Sequence, residues 1–182
     1  RMDDPLDIKR HIRCVEDFPI PGVKFRDITS LVETPIALKK TCDQITKISR
    51  KFEPNLLVGI ESRGFIFSSP VALDLSIPFV LARKPGKLPH ESYSRHFDLE
   101  YGSTSIEVQK NSEISRHDKI LIVDDLVATG GTALACCDLL TKHFDIERSN
   151  ILFVAVIDLP HLGGSQRILE AGYGLEILVS YK

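Results

Sequence analysis

Four apolar runs mark the chain, at residues 56–60, 78–81, 120–123 and 151–157. They are short, nearly continuous and rich in valine and isoleucine, as strands buried on both faces should be. Helical patterns lie at 36–52, 65–75 and 132–144, each long enough to carry the chain from one parallel strand to the next. The alternation predicts an α/β fold, a doubly wound, mainly parallel sheet. Two stretches fall outside it: residues 18–31, dense in proline, glycine and aromatics, and residues 84–109, with few apolar positions before Ser105. Long connections of that kind are usually binding loops or lids, and the second is the lid candidate.

At 182 residues the chain suits one domain, and no repeat or linker divides it. The 43% hydrophobic content is that of a globular protein and excludes a disordered or collagen-like chain. With 23 Lys and Arg against 25 Asp and Glu and no long run of one sign, nucleic acid is not expected as a partner. No run approaches the roughly 18 apolar residues of a membrane span. No apolar segment follows the mixed charges of residues 1–10, so the expected location is cytoplasmic. Cys14, Cys42, Cys136 and Cys137 form no CxxC pair and are read as reduced and mostly buried. The six histidines have no metal-ligand spacing, and no GxSxG motif occurs.

The segment Ile120-Leu-Ile-Val-Asp124-Asp125-Leu126-Val-Ala128-Thr129-Gly130-Gly131-Thr132 carries the clearest chemistry. A buried strand ends in two acids, and a loop of small residues then opens a helix. Successive backbone N–H groups over 128–132, backed by the helix N-terminus, form a cradle for a phosphate, with Thr129 and Thr132 adding hydroxyl donors. Asp124 and Asp125 stand at the carboxyl end of the strand, where open α/β sheets bind ligands, as acceptors for sugar hydroxyls. Together they describe a ribose 5-phosphate site. The plainer reading makes the glycines a turn and the acids a helix cap; paired acids on a buried strand weigh against it. A nucleotide P-loop is excluded because no GxxxxGK[ST] occurs. Ahead of this segment, Glu61-Ser62-Arg63-Gly64 follows one strand and opens a helix, while Arg83, Lys84 and Lys87 leave the next strand. Both suit an anion; the first also reads as a helix cap beside a surface arginine.

The 120–132 segment resembles the signature of the type I phosphoribosyltransferases. Phe18-Pro-Ile-Pro-Gly-Val-Lys-Phe-Arg-Asp-Ile-Thr29, Glu61-Ser-Arg-Gly-Phe65, Arg83-Lys-Pro-Gly-Lys-Leu-Pro89 and Asp98-Leu-Glu-Tyr-Gly102 narrow the resemblance to the adenine-specific branch of that family. It implies that adenine and phosphoribosyl pyrophosphate (PRPP) are joined, with Mg2+ bound alongside PRPP, to give AMP and pyrophosphate. Asp124 and Asp125 would hold the ribose, and Ala128, Thr129, Gly130, Gly131 and Thr132 the 5-phosphate. Ser62, Arg63, Arg83, Lys84, Lys87 and Tyr101 would meet the pyrophosphate. Lys24, Phe25 and Arg26 in a small N-terminal hood (roughly 1–34) would border the base, facing Leu126. Lys24 stands where relatives commonly carry an apolar residue. A flexible lid (roughly 84–109) would carry Glu100, the catalytic candidate, to stabilise positive charge on the sugar or to handle the proton leaving the base. The resemblance also implies a homodimer, and a magnesium carried on substrate oxygens rather than in a dedicated protein site. Two rivals stay open: an oxopurine enzyme differing at the hood, and a PRPP sensor joined to a DNA-binding domain, of which this sequence shows no sign.

Overall fold

The structure is a computed structural model that describes residues 7–99 and 101–182. The chain divides into two units, residues 1–44 and 45–182. In the first, β1 (Arg13–Glu16) and β2 (Lys24–Asp27) pair antiparallel, Arg13 opposite Asp27 and Glu16 opposite Lys24. The turn between them uses Gly22 at φ +87°, whose N–H donates to Asp17 Oδ1 at 2.7 Å. Helix α1 (Thr29–Glu33) follows, entered through Asp27, which accepts from the Thr29 N–H at 2.9 Å and hydroxyl at 2.7 Å. Phe18 meets Phe25 edge to face, ring centres 5.1 Å apart. Part of the stretch 18–31 that reads as a loop is therefore regular structure. The long helix α2 (Pro35–Arg50) runs on into the second unit.

The second unit is built on five parallel strands, β3 (Leu56–Ile60), β4 (Phe79–Ala82), β7 (Ile120–Val127), β8 (Ile151–Asp158) and β9 (Gly174–Ser180), in the order β4-β3-β7-β8-β9. Helices α3 (Gly64–Leu75), α4 (Gly131–Phe144) and α5 (Gly164–Glu170) connect them, giving the expected α/β alternation. Leu56, Val58, Ile60, Ile120, Ile122, Phe153 and Ala155 pack in one core cluster with Ala133, Cys136, Cys137 and Leu140 of α4 and Ile168 of α5. Alternate residues, Leu57, Leu121, Val123 and Val154, turn to the other face and are equally buried. There α3 comes so close that a Cβ on Gly59 would stand 2.6 Å from Ser68 Oγ. Cys42, Cys136 and Cys137 are buried thiols, whereas Cys14 is exposed.

The segment 84–109 contains a hairpin rather than an irregular loop. Strand β5 (Ser92–Asp98) pairs antiparallel with β6 (Ser103–Gln109), from Ser92 opposite Gln109 to Asp98 opposite Ser103. Ile106 and Val108 are buried in the core, so β6 is anchored to the body of the unit. On β5, Tyr93 stacks on His143 of α4 with ring centres 4.4 Å apart, and Arg95 approaches Asp138 of α4 at 3.7 Å. Burial first, then the nearby cations Lys142, Arg95 and Lys110, lower the His143 pKa below its ordinary value.

Candidate functional site

The carboxyl ends of β3 and β7 open into a cavity of about 1090 Å³. Its walls include Ser62, Arg63 and Lys84, then Asp124, Asp125 and Leu126, and the loop residues Ala128, Thr129, Gly130, Gly131 and Thr132. Residues sixty positions apart in sequence thus share one surface. Arg83, Lys87 and Tyr101 do not line it, and Tyr101 is 86% exposed. Lys24, Phe25 and Arg26 belong to the other unit, on β2. Glu100 lies outside the described residues.

Each wall has a local cause. The pairing of β7 with β8 runs past Val123, through Asp124 opposite Ala155, to Leu126 opposite Ile157 and Val127 opposite Asp158. Both acids therefore sit inside the strand, which ends four residues beyond the apolar run. Asp124 accepts from the Asp125 N–H at 2.8 Å. Burial, reinforced by the negative charge of Asp125, raises the Asp124 carboxyl well above the ordinary carboxylate range. Asp125 accepts from Arg63 Nε at 2.6 Å, so the arginine expected to face an anion also holds the second acid in place.

Around β3, Glu61 organises the cationic side. Its carboxylate accepts from the Lys84 N–H at 2.5 Å and lies 3.3 Å from Arg83 Nε. Arg83 is thereby tied to Glu61, and the Lys84 backbone is fixed at the mouth of the cavity. The Glu61–Ser62 peptide is cis. Gly64, the first residue of α3, allows a close approach: a Cβ there would lie 2.9 Å from Asp124 Oδ1 and 3.0 Å from the Val123 carbonyl oxygen.

In the loop 128–132, Gly130 takes φ +86°, a left-handed conformation that glycine adopts without strain. Fourteen-residue α4 begins at Gly131, so its N–H groups and positive dipole end face the cavity. The hairpin reaches the same place, where a Cβ on Gly131 would stand 3.2 Å from the Phe97 ring. Arg95, His96, Phe97 and Asp98 of β5 line the cavity as well, followed by Leu99, so the hairpin walls the cavity beside the start of α4. Arg95 and Arg167 also line the cavity, and nothing in the sequence singles either out as part of the site; Glu61 and Gly64 are legible only within the anion motif Glu61-Ser-Arg-Gly64. Among the described residues no group of three or more His, Cys, Asp or Glu could hold a metal ion. The paired carboxylates nonetheless fit a hard cation such as magnesium that keeps several waters and takes other oxygens from its substrate.

A small-residue loop at a helix N-terminus, paired acids on the strand before it and a cationic turn from the neighbouring strand define the architecture of a phosphoribosyl transferase. The family model described as phosphoribosyl transferase domain matches residues 27–162. A curated adenine phosphoribosyltransferase of Gloeothece citriformis is 45% identical over 165 residues, covering 90% of this chain and 94% of that protein. One from Pelagibacter ubique is 42% identical, covering 97% and 98%. Among solved structures, the Giardia lamblia enzyme complexed with 9-deazaadenine superposes with a TM-score of 0.89 at 34% identity, covering 97% of each chain. That of Thermoanaerobacter pseudethanolicus gives 0.87 at 36% identity, covering 96% and 98%. The chain belongs to the adenine phosphoribosyltransferase family.

Proposed function

We propose that this enzyme transfers the 5-phosphoribosyl group from PRPP to adenine, releasing pyrophosphate and forming AMP, a purine-salvage reaction. The observation that carries the proposal is the convergence of Asp124, Asp125 and the loop 128–132 with Ser62, Arg63 and Lys84 on one cavity. In this reading the N–H groups of residues 128–132 hold the 5-phosphate, and Asp124 and Asp125 accept from the ribose hydroxyls. Ser62, Arg63 and Lys84 receive the pyrophosphate, joined by Arg83, Lys87 and Tyr101. Lys24, Phe25, Arg26 and Leu126 border adenine.

Reaction breaks the bond from C1 of the ribose to pyrophosphate and forms one to a ring nitrogen of adenine, which loses a proton. Positive charge grows on the sugar between the two events. Carboxylates near the ring stabilise that charge, and a closed site keeps water from intercepting it. Strand β6 is anchored through Ile106 and Val108, so that part of the segment proposed as a lid belongs to the body of the unit, and Glu100 is the residue proposed to act at the base or the sugar. Asp124 and Asp125 are the residues that would help hold a magnesium ion brought in with PRPP, and such an ion would supply positive charge beside the pyrophosphate. Family resemblance alone supports the homodimer.

Pyrophosphate release with PRPP and magnesium, with adenine, hypoxanthine and guanine in parallel, tests this function. Turnover is expected with adenine alone and is lost on chelating the metal. Turnover with an oxopurine would overturn the assignment of Lys24, Phe25 and Arg26, and PRPP binding without turnover would favour a sensor.

A further inference from the structure

The loop proposed to hold the 5-phosphate has no cation of its own: Ala128, Thr129, Gly130, Gly131 and Thr132 are all uncharged. It also has few side-chain atoms with which to hold its own shape. Both deficits are met by one segment far away in sequence. Gly163 turns the chain at φ +83°, and the Gly164 N–H then donates to the Ala128 carbonyl at 3.1 Å. Gly164 lies flat against the loop. A Cβ on it would stand 2.5 Å from both the Ala128 oxygen and the Gly130 nitrogen, and one on Gly130 would stand 2.9 Å from Gly164 Cα. One turn later in α5, Arg167 Nη1 donates to the Thr129 carbonyl at 2.6 Å, and Arg167 itself lines the cavity.

A carbonyl oxygen beside a phosphate repels it, and a guanidinium on that oxygen cancels the repulsion. In a trans peptide the carbonyl and the N–H point opposite ways, so fixing the Thr129 oxygen on Arg167 also fixes the direction of the Gly130 N–H. The other arginines that line the cavity have acidic neighbours: Arg63 meets Asp125 at 2.6 Å, and Arg95 lies 3.7 Å from Asp138. Arg167 instead directs its hydrogen bond to the phosphate loop.

We infer that Arg167 is a positioning residue for the 5-phosphate: it locks the Thr129–Gly130 peptide in its anion-binding orientation and supplies the positive charge that the loop lacks. The inference rests on the proposed reading of residues 128–132 as the 5-phosphate cradle.

The test compares wild type with Arg167→Met, which keeps the aliphatic stem, and Arg167→Lys, which keeps the charge. Affinities for ribose 5-phosphate and for inorganic pyrophosphate are measured by calorimetry, together with KM for PRPP and for adenine and the melting temperature. Arg167→Met is expected to weaken ribose 5-phosphate and raise KM for PRPP about tenfold, with pyrophosphate affinity and adenine KM within about twofold. Arg167→Lys should recover most of the loss. Arg167→Gln gives a second uncharged variant, with the same expectation, should the methionine chain not fold. Unchanged ribose 5-phosphate affinity, with or without a lower melting temperature, would overturn the inference, as would equal weakening of ribose 5-phosphate and pyrophosphate. Wild type that turns over adenine yet does not bind ribose 5-phosphate would overturn the cradle assignment itself, and the role of Arg167 with it.

Discussion

Replacing Gly64 by alanine places one methyl group where the structure leaves no room for it. The new Cβ would lie 2.9 Å from Asp124 Oδ1, 3.0 Å from the Val123 oxygen and 3.2 Å from Asp124 Cα. Two of these atoms are backbone of a central strand paired on both sides, so helix α3 must yield rather than β7. Overpacking of this kind costs about 1–3 kcal/mol. Alanine returns at most about 1 kcal/mol of helix propensity, and less at the first position of a helix. A net loss of about 1–2 kcal/mol corresponds to a melting temperature lower by roughly 2–8 °C in a domain of this size. Relief of the clash also shifts the Asp124 carboxylate from its proposed place at the ribose, and displacements of 1 Å cost up to about 10²-fold in rate. Gly64→Ala is therefore expected to lose about tenfold in kcat/KM for PRPP. Gly59→Ala is the control: its Cβ would meet the Phe79 ring and Ser68 Oγ, both at 2.6 Å, on a residue that does not line the cavity. It should lower the melting temperature while leaving the PRPP parameters near wild type. A Gly64→Ala enzyme that melts and turns over like wild type, or a Gly59→Ala enzyme with the same kinetic defect, would refute the reasoning.

The remaining predictions concern two carboxylates. Because burial and Asp125 raise the Asp124 pKa above its ordinary 3.8, the folded chain binds that proton more tightly than the unfolded chain. The stability linked to Asp124 is thus full below about pH 3.8 and declines as pH rises through the folded-state pKa. In the Asp124→Asn variant the side-chain amide oxygen can still accept from the Asp125 N–H, but the group does not ionise. The stability of Asp124→Asn relative to wild type, read from urea melts, should rise from about pH 4 upward and then level off; a difference independent of pH would contradict this. Glu100→Gln should lower kcat about 10²-fold in the pyrophosphate-release assay with little change in melting temperature, and an unchanged kcat would remove Glu100 from catalysis.

Strands buried on both faces declare themselves as apolar runs, which is why β3, β7 and β8 are legible in the sequence; the edge strand β4 is legible as well because Phe79–Ala82 are all apolar although only Ala82 is fully buried. The other edge strand and the hairpin strand β5 are not. In β9, Glu176 interrupts a strand that is only half-buried along its length. In β5 the residues Ser-Tyr-Ser-Arg-His-Phe-Asp show no core signal, because their order comes from pairing with β6 and packing on α4. The end of β7 misleads for the opposite reason: aspartates are poor strand formers, yet Asp124 and Asp125 stay in the strand because β8 continues beside them. The site divides the same way. Its proposed donors and acceptors, residues 124–132 and Ser62 to Gly64, are contiguous and readable. Their supports are joined only by the fold, Arg63 to Asp125 across 62 positions and Arg167 to Thr129 across 38. A loop of small uncharged residues exposes backbone N–H groups because it has little side chain in the way, and for the same reason it cannot fix their direction. Rigidity must come from outside the motif, so substitutions at Gly64, Gly164 and Arg167 should reach the chemistry although none of the three belongs to the anion loop itself.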